Sequence, residues 1–289
     1  MSESGVLVVD KPKGMTSFDV VDRVRRARGA SKAGHAGTLD PMATGVLVLC
    51  LGEATKIVSF LTDSEKIYRA EALFGIATDT QDAQGRVVAT RDASALGVEA
   101  VSAALAGFVG RIRQTPPMFS AVHKDGRRLH ELARAGIEVD REAREVEVRV
   151  AAVERFERDP PRATFFIACS KGTYVRTIAA DLGERLGVGA HLVALRRLRA
   201  GPFGLEDAVS IDEAATAPLV PPSRALAFLP EVPIDEAGAA LVRRGGRPPT
   251  GLPLPDAPRF RLVAPGDDLV AVAESAAPGP VRLLRVLHR

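Results

Sequence analysis

Apolar positions along this chain fall into short blocks whose spacing switches between the periods of strand and helix. Gly5 to Val9 is a short run of strand type, and Val46 to Leu51 (VLVLCL) is continuous and bounded by glycines. The second pattern predicts a strand buried on both faces. In Lys66 to Phe74, Tyr68, Ala70 and Ala72 alternate with Ile67, Arg69 and Glu71, which predicts a half-buried strand. RVVAT (86–90), Glu145 to Phe156, Ala163 to Cys169 and the run HLVALRRLRAGPF (191–203) read as further strands, the last with a basic edge.

Helices are predicted between these runs. Thr16 and Asp19 have capping-box spacing, Phe18, Val21, Val24 and Ala27 recur every third residue, and Gly29 is a C-terminal stop. The arginines fall mainly off that stripe. Glu53 to Leu61 places Ala54, Ile57, Val58 and Leu61 on one side, Gly97 to Val109 is an Ala-rich amphipathic helix, and Ser170 to Gly187 is a polar turn entering a helix. ATDTQDAQG (77–85) reads as a turn, and Ser210 with Glu213 offers another capping box. The mixture is α+β.

Residues 113–136 interrupt the alternation with two prolines, a Lys-Asp-Gly turn and a short basic helix. Such an excursion is either a segment that closes over a ligand or a surface hairpin without a role. Pro218, Pro221, Pro222, Pro230 and Pro233 thin out the periodicity, which places a domain boundary at 228/229. Beyond it, a helix near Glu236 to Arg243 and the runs RFRLV, DLVAVA and VRLLRVL make a small β-rich module over 229–289.

Composition narrows the function classes. The chain has 289 residues and 46% hydrophobic content, enough for one large domain or two ordinary ones with a real core. Cys50 and Cys169 sit apart in apolar runs, with neither a disulfide framework nor zinc-ligand spacing. No apolar segment approaches the roughly 20 residues that span a bilayer, and the first residues lack signal-peptide order, so a soluble cytoplasmic protein is expected. Net charge is only +3, yet the cations cluster: Arg23, Arg25, Arg26, Arg28 and Lys32; Lys124, Arg127, Arg128 and Arg134; Arg196, Arg197 and Arg199. Each cluster alone reads as a solvated face. Three beside candidate loops favour a polyanionic partner.

The candidate chemistry centres on GHAGTLDPMATG (34–45), where Asp40 stands among small residues ahead of Pro41. Asp40 is either a carboxylate nucleophile or a turn aspartate bonding its own backbone. KIYRA around Tyr68 and KGTYVR around Tyr174 and Arg176 supply the other candidates. A guanidinium beside Asp40 favours its ionised form, and Tyr68 offers an aromatic face and a hydroxyl for proton work. Spacing alone does not say that these stretches meet. A glycoside hydrolase is a rival, but that class needs a second carboxylate about 5 Å or more away, and none is paired with Asp40 in the motif.

Five motifs, KPKGMTSFDVV, GHAGTLDPMATGVL, KIYRA, QTPPMFSAV and KGTYVRTIAADLG, occur in this order between about Val8 and Phe203. Together they resemble the bacterial TruB-type tRNA pseudouridine synthases. The resemblance implies a catalytic domain (1–228) on a mixed, largely antiparallel sheet with flanking helices, an RNA-clamping insertion at 113–136 and a PUA-like C-terminal domain (229–289). It implies isomerisation of uridine to pseudouridine at position 55 in the T-arm loop of tRNA, on a flipped-out base, by a monomer that uses no metal or organic cofactor.

By the same resemblance Asp40 is the nucleophile, attacking the ribose anomeric carbon in preference to the uracil ring. Tyr68 stacks on the base and handles the proton lost from the uracil carbon, and Arg176 pairs with the catalytic acid. Tyr174 and Leu195 line the pocket, and His35 occupies space near the flipped nucleotides. Lys11, Lys13 and Lys56 are expected to be RNA-facing or structural. Lys124, Arg127 and Arg128 of the excursion are expected to contact phosphate. A non-catalytic tRNA-binding or folding factor using the same basic surface is the alternative, with Asp40 then a turn residue.

Overall fold

The computed structural model describes residues 3–120, 123, 124, 126–275 and 281–288. Its contacts divide the chain into two compact units, one made of residues 1–64 with 200–289 and the other of residues 65–199.

In the first unit, strand Gly5–Lys11 runs antiparallel to strand Thr44–Leu51, in register from Gly5 opposite Leu51 to Lys11 opposite Gly45. Every residue from Val46 to Leu51 is at most 1% exposed, so the unbroken apolar run is covered on both faces as its pattern predicts. Short strand Ala33–His35 pairs with the same strand, placing His35 opposite Leu49. Helix Ser17–Ala27 carries the expected capping box, with Thr16 Oγ1 accepting from the Asp19 amide and the Asp19 carboxylate accepting from the Thr16 amide. Its stripe differs from the expected one. Ser17, Val20, Val21 and Val24 are buried at i, i+3, i+4 and i+7, while Phe18 is 72% exposed. A repeat of three drifts around a helix that turns every 3.6 residues, so the every-third reading could not hold one face.

The arginines of this helix are largely engaged. Arg23 meets Asp212, Arg25 and Arg26 meet Asp22, and the nearly buried Arg28 holds Glu3 and the carbonyls of Ala214 and Ala217. The expected helix over 53–61 is a 3-10 turn, Gly52–Ile57, continued by helix Val58–Thr62.

The C-terminal sheet belongs to this unit. Strand Glu231–Pro233 lies parallel to Arg259–Ala264, which continues antiparallel to Asp268–Glu274 and then to Arg282–Val286. One core, with Val232, Val242, Phe260, Leu262 and Val270, is internal to the module. A second core joins Val263, Leu269, Val272 and Leu287 to Val6, Val8, Val46 and Ile57. By contacts the module falls in one unit with the N-terminal strands. The module has a core of its own but shares its other face with the N-terminal strands, a contact between chain ends that local composition does not announce. Lys56 Nζ donates to Glu53 and to the Val286 carbonyl, and Glu53 also accepts from the His288 amide. Burial pushes the Glu53 carboxyl up, but these hydrogen bonds outweigh it and leave the group below the usual carboxylate range.

The second unit is a largely antiparallel sheet in which strands Ala190–Ala200, Lys66–Phe74, Pro161–Cys169, Arg144–Arg158 and Gly110–Gln114 are successive neighbours. Lys66–Phe74 buries its even-numbered residues, as the alternation predicts, and pairs Tyr68 with Ile167. Helices Val98–Ala106 and Val175–Arg185 accompany this sheet. A separate hairpin, Ile76–Thr78 with Val87–Thr90, carries the 79–86 loop.

Candidate active site

The Asp40 loop is fixed by residues from the preceding motif. Ser17, 2% exposed at the start of its helix, donates from Oγ to the Leu39 carbonyl (3.0 Å) and accepts from the Leu39 amide (2.8 Å). The Asp40 carbonyl accepts from the Ala43 amide at 3.0 Å, closing a turn with Pro41 at its second position, where a fixed φ suits it. Gly37 sits at φ +114, a conformation side chains resist, and allows the chain to leave the Ala33–His35 strand for this turn. Ala36 is 1% exposed and packs in the core.

Lys11 is wholly buried, and its ammonium donates to the carbonyls of Pro12 (2.9 Å), Met15 (2.6 Å) and Pro41 (3.4 Å). It ties the KPKG turn to the residue after Asp40. A buried ammonium without such partners would be costly. The Gly14 amide adds a bond to the Pro41 carbonyl at 2.7 Å. Lys13 is exposed, whereas Lys56 is engaged as described above. Asp40 and His35 are each partly exposed.

The second unit positions the aromatic and cationic candidates. Tyr68 is 8% exposed on the buried face of its strand, and Leu195 is 7% exposed on strand Ala190–Ala200. Arg176, second in its helix and 3% exposed, donates from Nη1 to the Thr80 carbonyl (3.0 Å) and from Nη2 to the Phe119 carbonyl (2.9 Å), and Nη1 lies 3.4 Å from Asp82 Oδ2. Asp82 is buried, and its other oxygen accepts from Thr80 Oγ1 (2.7 Å) and the Gln84 amide (2.9 Å). Its carbonyl accepts from Thr78 Oγ1, and its neighbour Gln81, at φ +64, accepts from Thr177 Oγ1 through its side chain.

ATDTQDAQG, read from sequence only as a turn, is therefore an acidic clamp on Arg176. A signal was present: a buried arginine requires an acid, and this stretch holds two aspartates with threonine hydroxyls able to orient them.

The excursion 113–136 forms the two-residue strands His123–Lys124 and Arg127–Arg128, then helix Leu129–Arg134. Arg127 is exposed; the side chains of Lys124, Arg128 and Arg134 lie outside the described structure. Arg197, expected within a basic edge, is 1% exposed and so unavailable as surface charge. Cys50 and Cys169 are buried free thiols, pushed up by burial to about 12 and about 11. Among the described residues no group of His, Cys, Asp and Glu side chains is arranged to hold a metal, and no helix is long and apolar enough to cross a membrane.

Residues 25–175 match the family model described as TruB family pseudouridylate synthase (N terminal domain), and residues 176–220 match the tRNA pseudouridylate synthase B C-terminal domain. The chain is 47% identical to the tRNA pseudouridine synthase B of Geobacter sulfurreducens, across 98% of this chain and 99% of that protein. The chain belongs to the TruB family of pseudouridylate synthases. Another TruB relative, the tRNA pseudouridine synthase B of Symbiobacterium thermophilum, is 52% identical across 84% of this chain and 83% of that protein. The fold matches a chain in the crystal structure of a Cbf5-Nop10-Gar1 complex, with a TM-score of 0.73 and 26% identity over 98% of this chain and 84% of that one. The mixed sheet, flanking helices and small C-terminal sheet expected from the TruB resemblance are all present.

Proposed function

We propose that this chain isomerises uridine to pseudouridine at position 55, in the T-arm loop of tRNA. The observation that supports the reading is 47% identity, over nearly the whole of both chains, to a protein named tRNA pseudouridine synthase B. The substrate base lies in a structured loop, so chemistry on it requires the nucleotide to leave the stack at a cost of a few kcal/mol, least where pairing is already absent. Ser17 and Lys11 fix the backbone of the Asp40 turn by hydrogen bonds within the protein, which supports a role for Asp40 beyond that of a turn residue.

In this reading the Asp40 carboxylate attacks the ribose anomeric carbon as the bond to the uracil nitrogen breaks, through an oxocarbenium-like state. The freed uracil turns within the pocket, and its C5 displaces the Asp40 carboxylate to form the carbon–carbon bond. The proton on that carbon is then lost, with Tyr68 handling it. Bond order balances without an oxidant or reductant. Arg176 pairs with Asp40 and favours its charged form; Tyr174 and Leu195 line the pocket, and His35 contacts the flipped nucleotides. Lys13 and the excursion cations meet phosphate.

The test is incubation of the protein with an unmodified tRNA transcript, no cofactor added, followed by carbodiimide-stop mapping. A stop at the T-loop uridine is expected. No stop at any uridine would favour a non-catalytic RNA-binding factor, and a stop elsewhere would overturn the choice of position.

A further inference from the structure

Gln114 ends strand Gly110–Gln114, and the 113–136 excursion departs from it. Gln114 is 3% exposed, yet among the described residues its side chain hydrogen-bonds only to backbone. Its carboxamide grips the backbone of Tyr174 from both ends: Oε1 accepts from the Tyr174 amide at 2.7 Å, and Nε2 donates to the Tyr174 carbonyl at 3.0 Å. Only this orientation of the amide satisfies both partners. Tyr174 is the N-cap residue of helix Val175–Arg185 and has no side-chain cap of its own. At a helix start the backbone amides lack intrahelical acceptors, and Gln114 satisfies the Tyr174 amide. The Tyr174 carbonyl has a second lone pair for the first helical bond, from the Ile178 amide at 3.2 Å.

We propose that Gln114 is a positioning residue for the reaction: it sets the entry of the Val175–Arg185 helix, and with it the Tyr174 ring and the Arg176 guanidinium, from the root of the RNA-clamping excursion. The inference rests on the pocket reading of Tyr174 above. Strand Gly110–Gln114 is held by strand Arg144–Arg158, in register from Gln114 opposite Arg144 to Gly110 opposite Val148, so the clasp is anchored to the sheet. A loop residue would not hold Tyr174 so firmly. Two residues on, Arg176 donates to the Phe119 carbonyl, so the entering leg of the excursion meets this helix start at two places.

The chain contains two tyrosines, Tyr68 and Tyr174, and no tryptophan, which makes the test direct. Fluorotyrosine-labelled full-length protein gives one NMR resonance for each, assigned with Tyr68→Phe. Gln114→Met keeps length and removes both hydrogen bonds; Gln114→Glu keeps the acceptor and loses the donor while ionised. Both are expected to shift the Tyr174 resonance and leave that of Tyr68 in place. The single-turnover rate on tRNA transcript at saturating enzyme should fall about ten- to a hundred-fold, with tRNA affinity within about two-fold of the parent. A folded variant of either kind with an unmoved Tyr174 resonance, or with the parent rate, overturns the proposal. If the parent itself leaves tRNA unmodified, the functional reading fails while the resonance still decides the clasp.

Discussion

Ser17 meets Leu39 twice, its hydroxyl donating to the Leu39 carbonyl and accepting from the Leu39 amide, with both residues buried and Asp40 next in the chain. One side chain thus satisfies both polar groups of the peptide that introduces the candidate nucleophile. Ser17→Ala strands an amide and a carbonyl in the core, a cost of about 1–3 kcal/mol. Urea unfolding should report that loss, and the single-turnover rate should fall further than tRNA affinity. Unchanged stability would show that water or a shifted backbone replaces the hydroxyl.

Asp82 is the buried counter-charge to Arg176 in the second unit. Asp82→Ala removes this counter-charge from a buried guanidinium, and breaking a buried pair costs about 3–5 kcal/mol. The 3.4 Å separation is long for a charge-assisted bond, which places the expected loss toward the lower end. Turnover should drop by at least about ten-fold while tRNA binding changes little. A variant with parental turnover would mean that the Asp82 contact is not needed to hold Arg176 in place.

Both thiols are protonated and enclosed. Their values near 12 and 11 leave almost no thiolate at neutral pH, and the thiolate is the reactive form. A disulfide-exchange reagent should therefore label Cys50 and Cys169 only as the protein unfolds, with labelling and denaturation sharing one midpoint. Prompt labelling of either thiol in buffer would contradict its burial.

The excursion carries the cations expected to face phosphate. Replacing Lys124, Arg127 and Arg128 together with Ala should weaken tRNA binding and flatten the slope of log affinity against log salt by about 2 to 3. An unchanged slope would show that they do not release counterions on binding.

The strands and the acid loop were legible in the sequence because their signals are local. VLVLCL is apolar without interruption and is buried without interruption; KIYRAEALF alternates, and its Tyr68 lands on the buried face. The helix at Ser17 kept its capping box but turned its stripe, leaving Phe18 in solvent where a repeat of three had placed it inside. The other features that the sequence did not show depend on distant contact. The sequence left Lys11 either RNA-facing or structural because its carbonyl partner Pro41 lies thirty residues on. Asp82 looked like a turn residue because its partner Arg176 lies ninety-four positions away.

Asp40→Asn separates a nucleophilic Asp40 from an aspartate that only closes a turn. The substitution keeps the shape of the side chain and removes its charge, while the turn beneath it rests on Ser17, Lys11 and Pro41. With enzyme in excess over an unmodified T-arm transcript, the account predicts no pseudouridine at the T-loop uridine and a tRNA dissociation constant within about three-fold of the parent, under about 1 kcal/mol. Continued conversion by Asp40→Asn would contradict it.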